Sequence, residues 1–240
     1  GHDALVLLPT GGGKSLCFQV PGITMRCLGY GPTIVVSPLI ALMEDQVEAL
    51  NGRGIPAAAV HSQQSDGKNR DILSQFVAGE IDFLYVSPER ASLKSFHKAA
   101  QMAEPALIAV DEAHCISQWG HDFRPDYLRI GELRRTLDVP LAAFTATADT
   151  ETQAEIVQKL FDGVPPRAFL RGFDRPNIHL AFAAKNGPRA QILNFASGRR
   201  GQSGIVYCGT RAKTEGLAKA LRDDGHLGAH QRTPAGRADG

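Results

Sequence analysis

Lys14 and Ser15 stand directly behind Gly11-Gly12-Gly13, which follow Leu8-Pro9-Thr10. A run of glycines followed by Lys-Ser is the pattern of a phosphate-binding loop. Glycines let backbone N–H groups come close to phosphate oxygens, and a helix opening at Lys14 would add its positive end. Pro9, Thr10, Gly11, Gly12, Gly13, Lys14 and Ser15 are therefore the candidate nucleotide-binding residues. Lys14 would neutralise the β- and γ-phosphates, and the Ser15 hydroxyl would ligate Mg²⁺. The general pattern asks for glycine at its first position, where this chain has Leu8. A glycine-rich turn that binds nothing is the alternative.

Far downstream, Asp111-Glu112-Ala113-His114 follows the apolar run Ala106 to Val110. Two carboxylates at the carboxyl end of a buried strand suit the magnesium site of a nucleotide hydrolase. Asp111 would hold Mg²⁺, Glu112 would orient and deprotonate the attacking water, and His114 would link the site to a neighbouring element. On its own such an acidic pair is also what a solvated strand end looks like. Together with the loop upstream it points to a nucleotide phosphate held with Mg²⁺.

These residues need a scaffold that brings strand ends together. Ala4 to Leu8, Thr33 to Val36, Ala57 to Val60, Phe83 to Val86, Leu107 to Val110 and Leu141 to Phe144 are short apolar runs. Helical patterns separate them, over Leu39 to Leu50, Asn69 to Ala78, Tyr127 to Leu137 and Thr150 to Leu160. This rhythm predicts an α/β fold, a parallel sheet with helices on both faces. The pattern breaks at Gly163-Val164-Pro165-Pro166, and a new unit is expected after Asp174-Arg175-Pro176-Asn177. In that unit Ile205-Val206-Tyr207 reads as a strand and Thr214 to Arg222 as its helix. The residues from 223 to 240 read as an irregular tail.

The phosphate loop followed by Asp-Glu-Ala-His resembles superfamily-2 helicases. The continuation Cys115-Ile116-Ser117-Gln118-Trp119-Gly120-His121-Asp122-Phe123-Arg124-Pro125-Asp126-Tyr127 is similar to the aromatic-rich loop of the RecQ family of DNA helicases. Ser37 to Gln46, Tyr85 to Arg90, Phe144 to Ala148, Gly172 to Ile178, and Gly204 to Cys208 with Thr210 to Lys213 match further family segments. The resemblance implies a first RecA-like lobe over residues 1–170. It implies a linker and the start of a second lobe over 171–222. It further implies ATP-driven 3′ to 5′ movement on single-stranded and forked DNA in repair and recombination, by a monomeric cytoplasmic protein. Ser37, Pro38 and Ser87 would touch the DNA backbone. Trp119, Phe123 and Arg124 would sense the single strand, and Thr145 and Thr147 would relay it to the Asp-Glu-Ala-His segment. Ser-Pro pairs after strands also serve simply as turns. His61 and His179 read as satisfied structural histidines.

Composition is compatible with this. Hydrophobic residues make up 43% of the 240, enough for a core, and no run is long enough to span a membrane. Cys17, Cys27, Cys115 and Cys208 are scattered, which argues against a zinc cluster and for reduced thiols. The net charge of +1 hides an asymmetry: residues 1–170 hold 14 Lys/Arg and 20 Asp/Glu, residues 171–240 hold 12 and 5. The basic part could contact phosphates or could be a solvated tail. An adenine-recognising glutamine upstream and an arginine finger downstream, both implied by the resemblance, find no match in this sequence. The expectation is weak binding and poor hydrolysis of Mg·ATP, or a nucleotide-dependent DNA-binding module without turnover.

Overall fold

The β-branched and aliphatic runs become strands because each is short, apolar and bounded by glycine, proline or a polar residue. The computed structural model describes residues 1–9, 11–117, 123–170 and 178–226. The chain divides into two units, residues 1–174 and 175–240.

The first unit is built on seven strands: β1 Ala4–Leu7, β2 Thr33–Val36, β3 Ala57–Val60, β4 Phe83–Val86, β5 Leu107–Val110, β6 Leu141–Thr145 and β7 Arg167–Leu170. They form one sheet in the order β3-β4-β2-β5-β6-β1-β7, and every pairing is parallel. The helices of this unit are α1 Lys14–Cys27, α2 Ile40–Asn51, α3 Asp66–Val77, α4 Pro88–Ala91, α5 Lys94–Ala103, α6 Ile130–Leu137 and α7 Thr150–Leu160.

Side chains along the strands alternate between two cores, as a period of two requires. Leu5, Leu7, Ile34, Val36, Leu84, Val86, Ile108 and Val110 meet Phe76 of α3, Phe96 of α5, Leu133 of α6 and Ile156 of α7. Val6, Val35, Phe83, Tyr85 and Ala109 meet Phe18 of α1 and Met43 and Leu50 of α2. The sheet is thus covered on both faces, as expected of near-continuous apolar strands. On the second face α1 lies very close to the sheet. A Cβ on Gly22 would sit 2.6 Å from Thr33 Oγ1 and 2.7 Å from the Phe83 ring.

The ladder continues one residue beyond the strands. Asp111 N–H donates to Val36 O, Ser37 N–H to Val86 O and Ser87 N–H to Val60 O. His61, Ser87, Ser37 and Asp111 therefore stand in one row across the carboxyl ends of β3, β4, β2 and β5. This row is where parallel sheets hold ligands.

The parallel sheet agrees with the α/β expectation, with three differences in detail. β7 was not expected. It is an edge strand exposed at all four residues, so it carries no inside-outside alternation to read. The helix expected over Tyr127 to Leu137 is a 3₁₀ turn, Pro125–Arg129, that runs into α6. In the second unit the strand expected at Ile205-Val206-Tyr207 does not form. Ile205 and Tyr207 are 81% and 91% exposed, with no strand beside them among the described residues of that unit. A single extended segment leaves its backbone groups unpaired, so it gains nothing from strand geometry. The described part of this unit holds α8 Pro188–Ser197 and α9 Arg211–Asp223. Thr210 caps α9 by accepting from Lys213 N–H. All but Ile178 of the signature expected over Gly172 to Ile178, and residues 227–240 of the tail, lie outside the described residues.

Candidate functional site

The loop after β1 is shaped by its glycines. Gly11 and Gly13 have φ of 78° and 83°, a region open to glycine without strain. Gly12 N–H donates to Pro9 O at 2.9 Å, closing the turn. Gly13 precedes α1 with no side-chain cap, and the first turn of α1 carries no acidic residue. The helix end is thus left to an anion. Lys14 opens the helix and its Nζ donates to Leu8 O at 3.4 Å, back across the loop. Ser15 follows in the same turn and is half-buried. Thr10 lies outside the described residues.

Asp111 and Glu112 follow the fully buried strand β5. Glu112 has φ 47° and ψ 46°, a left-handed conformation that a non-glycine residue adopts at a cost of order 1–3 kcal/mol. That turn folds Glu112 N–H back onto Asp111 Oδ1 at 3.0 Å. Buried Tyr127 donates its hydroxyl to Asp111 O at 2.9 Å and holds the same backbone from the other side. Sequence reasoning assigned Tyr127 to an aromatic spacing and missed this role. The partner lies sixteen residues away, and no local pattern reports it.

His114 Nδ1 lies 3.0 Å from Thr145 Oγ1 and 3.3 Å from Glu112 Oε2. Thr145 Oγ1 already donates to Thr147 O at 2.9 Å, so toward His114 it accepts. Nδ1 therefore carries a hydrogen, shared between Thr145 and Glu112. Thr147 N–H also reaches Thr145 Oγ1 at 3.3 Å. The result is a chain from the catalytic-type carboxylate on β5 to the turn after β6.

The charges in this cluster are tuned against one another. Burial pushes the Asp111 carboxyl up, helped by the Glu112 charge and opposed by the Glu112 N–H, Lys14 and His114. The hydrogen bond from His114 holds Glu112 below the usual carboxylate range despite its burial. His114 is raised to about 10, first by Cys115 and then by Glu112. Its Nε2 lies 4.0 Å from the Cys115 sulfur. The ammonium of Lys14 acts on both carboxylates. The two neighbouring acids are thus shifted in opposite directions within one cluster. Among the described residues no group of three or more His, Cys, Asp or Glu could hold a metal ion by itself. One carboxylate and one hydroxyl do suit Mg²⁺, which takes most of its remaining ligands from water and substrate phosphates.

The remaining predicted residues lie along the same strand ends. Ser37 and Ser87 end β2 and β4, each 2% exposed, and neither hydroxyl has a partner. Pro38 O accepts from Arg124 Nη1 at 3.2 Å, which ties the segment after Asp-Glu-Ala-His to the segment after β2. Phe123 is half-buried and Arg124 exposed. Trp119 lies outside the described residues. His61 is not satisfied, contrary to expectation: it is 1% exposed and its Nδ1 has no partner.

A DEAD/DEAH box helicase family model matches residues 1–156. The chain is 43% identical over 226 residues to an ATP-dependent DNA helicase RecQ of Haemophilus influenzae, spanning 94% of this chain and 36% of that protein. It is 42% identical to the RecQ helicase of a Synechocystis species, over 96% of this chain and 51% of that one. The chain thus spans a third to a half of these relatives. Among solved structures, DUF1998 helicase MrfA bound to DNA and AMPPNP superposes with a TM-score of 0.70, at 16% identity, over 93% of this chain and 34% of that one. The Hef helicase domain of Pyrococcus furiosus gives 0.56 at 20% identity, over 73% and 36%. No described helix is long and apolar enough to cross a membrane.

Proposed function

The chain belongs to the DEAD/DEAH box helicases, and from that premise we propose that it is the motor portion of a RecQ-type, ATP-dependent DNA helicase moving 3′ to 5′ on single-stranded DNA. The observation that carries the proposal is the placing of two features at the carboxyl ends of β1 and β5, the strands on either side of β6. One is a glycine loop that leads Lys14 into α1. The other is the Asp111–Glu112 pair, whose ionisation responds to Lys14. Similarity to named RecQ helicases supports the choice of DNA as the track.

In this reading the phosphates of ATP rest on the loop of Gly11, Gly12 and Gly13 and on the N-terminus of α1. Lys14 leaves Leu8 O to meet the β- and γ-phosphates. Ser15 and Asp111 would hold Mg²⁺, which offsets charge on the transferring phosphoryl group. Glu112, kept ionised by His114, accepts a proton from the attacking water as it approaches in line. The shared hydrogen on His114 Nδ1 reports the state of Glu112 to Thr145 and Thr147, next to the DNA-facing strand ends. Ser37, Pro38, Ser87, Phe123 and Arg124 would contact the strand and its forked junction, and Trp119 is assigned the same role from the sequence. Residues 1–170 would be the first RecA-like lobe, and 171–222 the linker and the start of the second.

The test is binding of a fluorescent ATP analogue with and without Mg²⁺. Lys14→Ala should weaken magnesium-dependent binding by at least about tenfold, roughly 1.4 kcal/mol. Glu112→Gln should bind within about twofold of the parent, because Glu112 acts on water rather than on phosphate. Equal binding by Lys14→Ala and the parent would overturn the site.

A further inference from the structure

Eight buried side-chain polar atoms of the described residues lack a hydrogen-bond partner, and five of them share one corner of the molecule. These are Ser37 Oγ, Ser87 Oγ, His61 Nδ1, Gln64 Oε1 and Asn69 Oδ1. All belong to the carboxyl ends of β2, β4 and β3, to the segment leading into α3 or to the first turn of α3 itself. An orphaned buried polar atom is costly, so a concentration of them asks for a ligand.

Their chemistry narrows the ligand. His61 Nε2 lies 2.9 Å from Gln64 Nε2 and 3.5 Å from Glu44 Oε1, and Nδ1 is the ring nitrogen left without a partner. The two serine hydroxyls can donate. Asn69 Nδ2 is engaged with His61 O at 3.1 Å, so its Oδ1 is an unused acceptor, and Gln64 Oε1 is another. A ligand that satisfies this set carries both acceptors and N–H donors.

Next to this corner is a groove of about 470 Å³, within the roughly 300–1,000 Å³ typical of small-ligand sites. Asn69, only 3% exposed, lines it together with Leu73, Leu93 and Phe96. Arg70 and Arg90 also line it, and Arg90 is held by Asp66 at 2.9 Å. Apolar walls, an amide acceptor and guanidinium groups in one groove suit a flat heterocycle bearing an N–H, with an anion attached.

We propose that this groove receives one unpaired nucleobase of the bound DNA strand, with the adjoining phosphate against Arg70 and Arg90. The inference rests on the DNA reading given above. It extends the contact beyond Ser37 and Ser87 to the edge strand β3. Base contact against apolar and cationic side chains is tolerant of sequence, as a translocating motor needs.

The experiment uses the 240-residue chain and fluorescein-labelled oligo-dT, read by anisotropy. A set of strands carries a single abasic site at successive positions. For the parent, one position should cost about fivefold in affinity, because the base that fills the groove is missing there. Leu93→Trp, a change at an exposed wall residue, should weaken binding to intact oligo-dT by about fivefold and abolish the penalty at that position. Arg70→Glu should flatten the dependence of log affinity on log salt by about 0.7, the value for one single-strand phosphate contact. Thermal midpoints of both variants check that the fold stands. Parent-like binding by both variants, with no position-specific penalty, would overturn the groove and leave the DNA reading intact. Absence of DNA binding by the parent would overturn both.

Discussion

Thr145 takes part in three hydrogen bonds: it accepts from His114 Nδ1 and Thr147 N–H and donates to Thr147 O. It is completely buried, whereas Thr147 is exposed, so removing the hydroxyl leaves the Thr147 backbone to water and takes an acceptor from His114. Thr145→Val keeps the shape of the side chain but removes both bonds to Thr147 and leaves the Nδ1 hydrogen of His114 to Glu112. The ratio of DNA-stimulated to basal ATP hydrolysis should fall by about tenfold, a change of roughly 1.4 kcal/mol in the coupled step. Thr145→Ser, which keeps the hydroxyl, should retain the ratio to within about threefold. An equal loss in basal and stimulated rates for Thr145→Val would assign the chain of bonds to stability rather than coupling. Lys14 and Asp111 could be picked out from sequence because each directly follows a local pattern, a glycine run in one case and an apolar strand in the other. His61 could not. Whether its Nδ1 finds a partner depends on Gln64, Glu44 and Asn69, which the folded chain arranges around it.

At the scale of elements, α1 must lie close to the sheet for the loop before it to meet β5 and β6. Gly22 permits this approach, since any side chain there would press on Thr33 Oγ1 and the ring of Phe83, both buried. Gly22→Ala should destabilise the first unit by about 1–3 kcal/mol, the usual cost of overpacking. A denaturant midpoint equal to that of the parent would show that α1 can shift away without cost. The sheet itself was open to reading because six of its strands are short, apolar and evenly separated by helices. β7 was hidden by its exposure, and Pro165-Pro166 before it looked like the end of the fold. The 3₁₀ turn ahead of α6 follows from Pro125, whose position at the start of the segment suits a turn better than a helix interior. The mistaken strand at Ile205-Val206-Tyr207 shows the limit of composition. β-Branched and aromatic residues favour a strand only when another strand is there to pair with it.

Across the whole molecule, the candidate nucleotide-binding and DNA-binding residues gather at the strand ends of the first unit. Loop, lysine and carboxylates lie at the ends of β1 and β5. The serines and the unsatisfied corner lie at the ends of β2, β3 and β4. Charge differs along the chain as well, with acidic residues in excess before residue 170 and basic residues in excess after it. Phosphate contacts of a DNA track draw on such basic residues, and their contribution weakens with salt. In the proposed reading, nucleotide chemistry at Lys14, Asp111 and Glu112 answers to a DNA strand bound at the same carboxyl ends of the sheet. The most direct measurement is ATP turnover by this chain with and without single-stranded DNA, beside Lys14→Ala. The account predicts turnover that single-stranded DNA raises by at least about tenfold and that Lys14→Ala lowers by roughly 10²–10³, as removal of a transition-state charge partner does. Turnover that ignores DNA, or that survives Lys14→Ala, would contradict it.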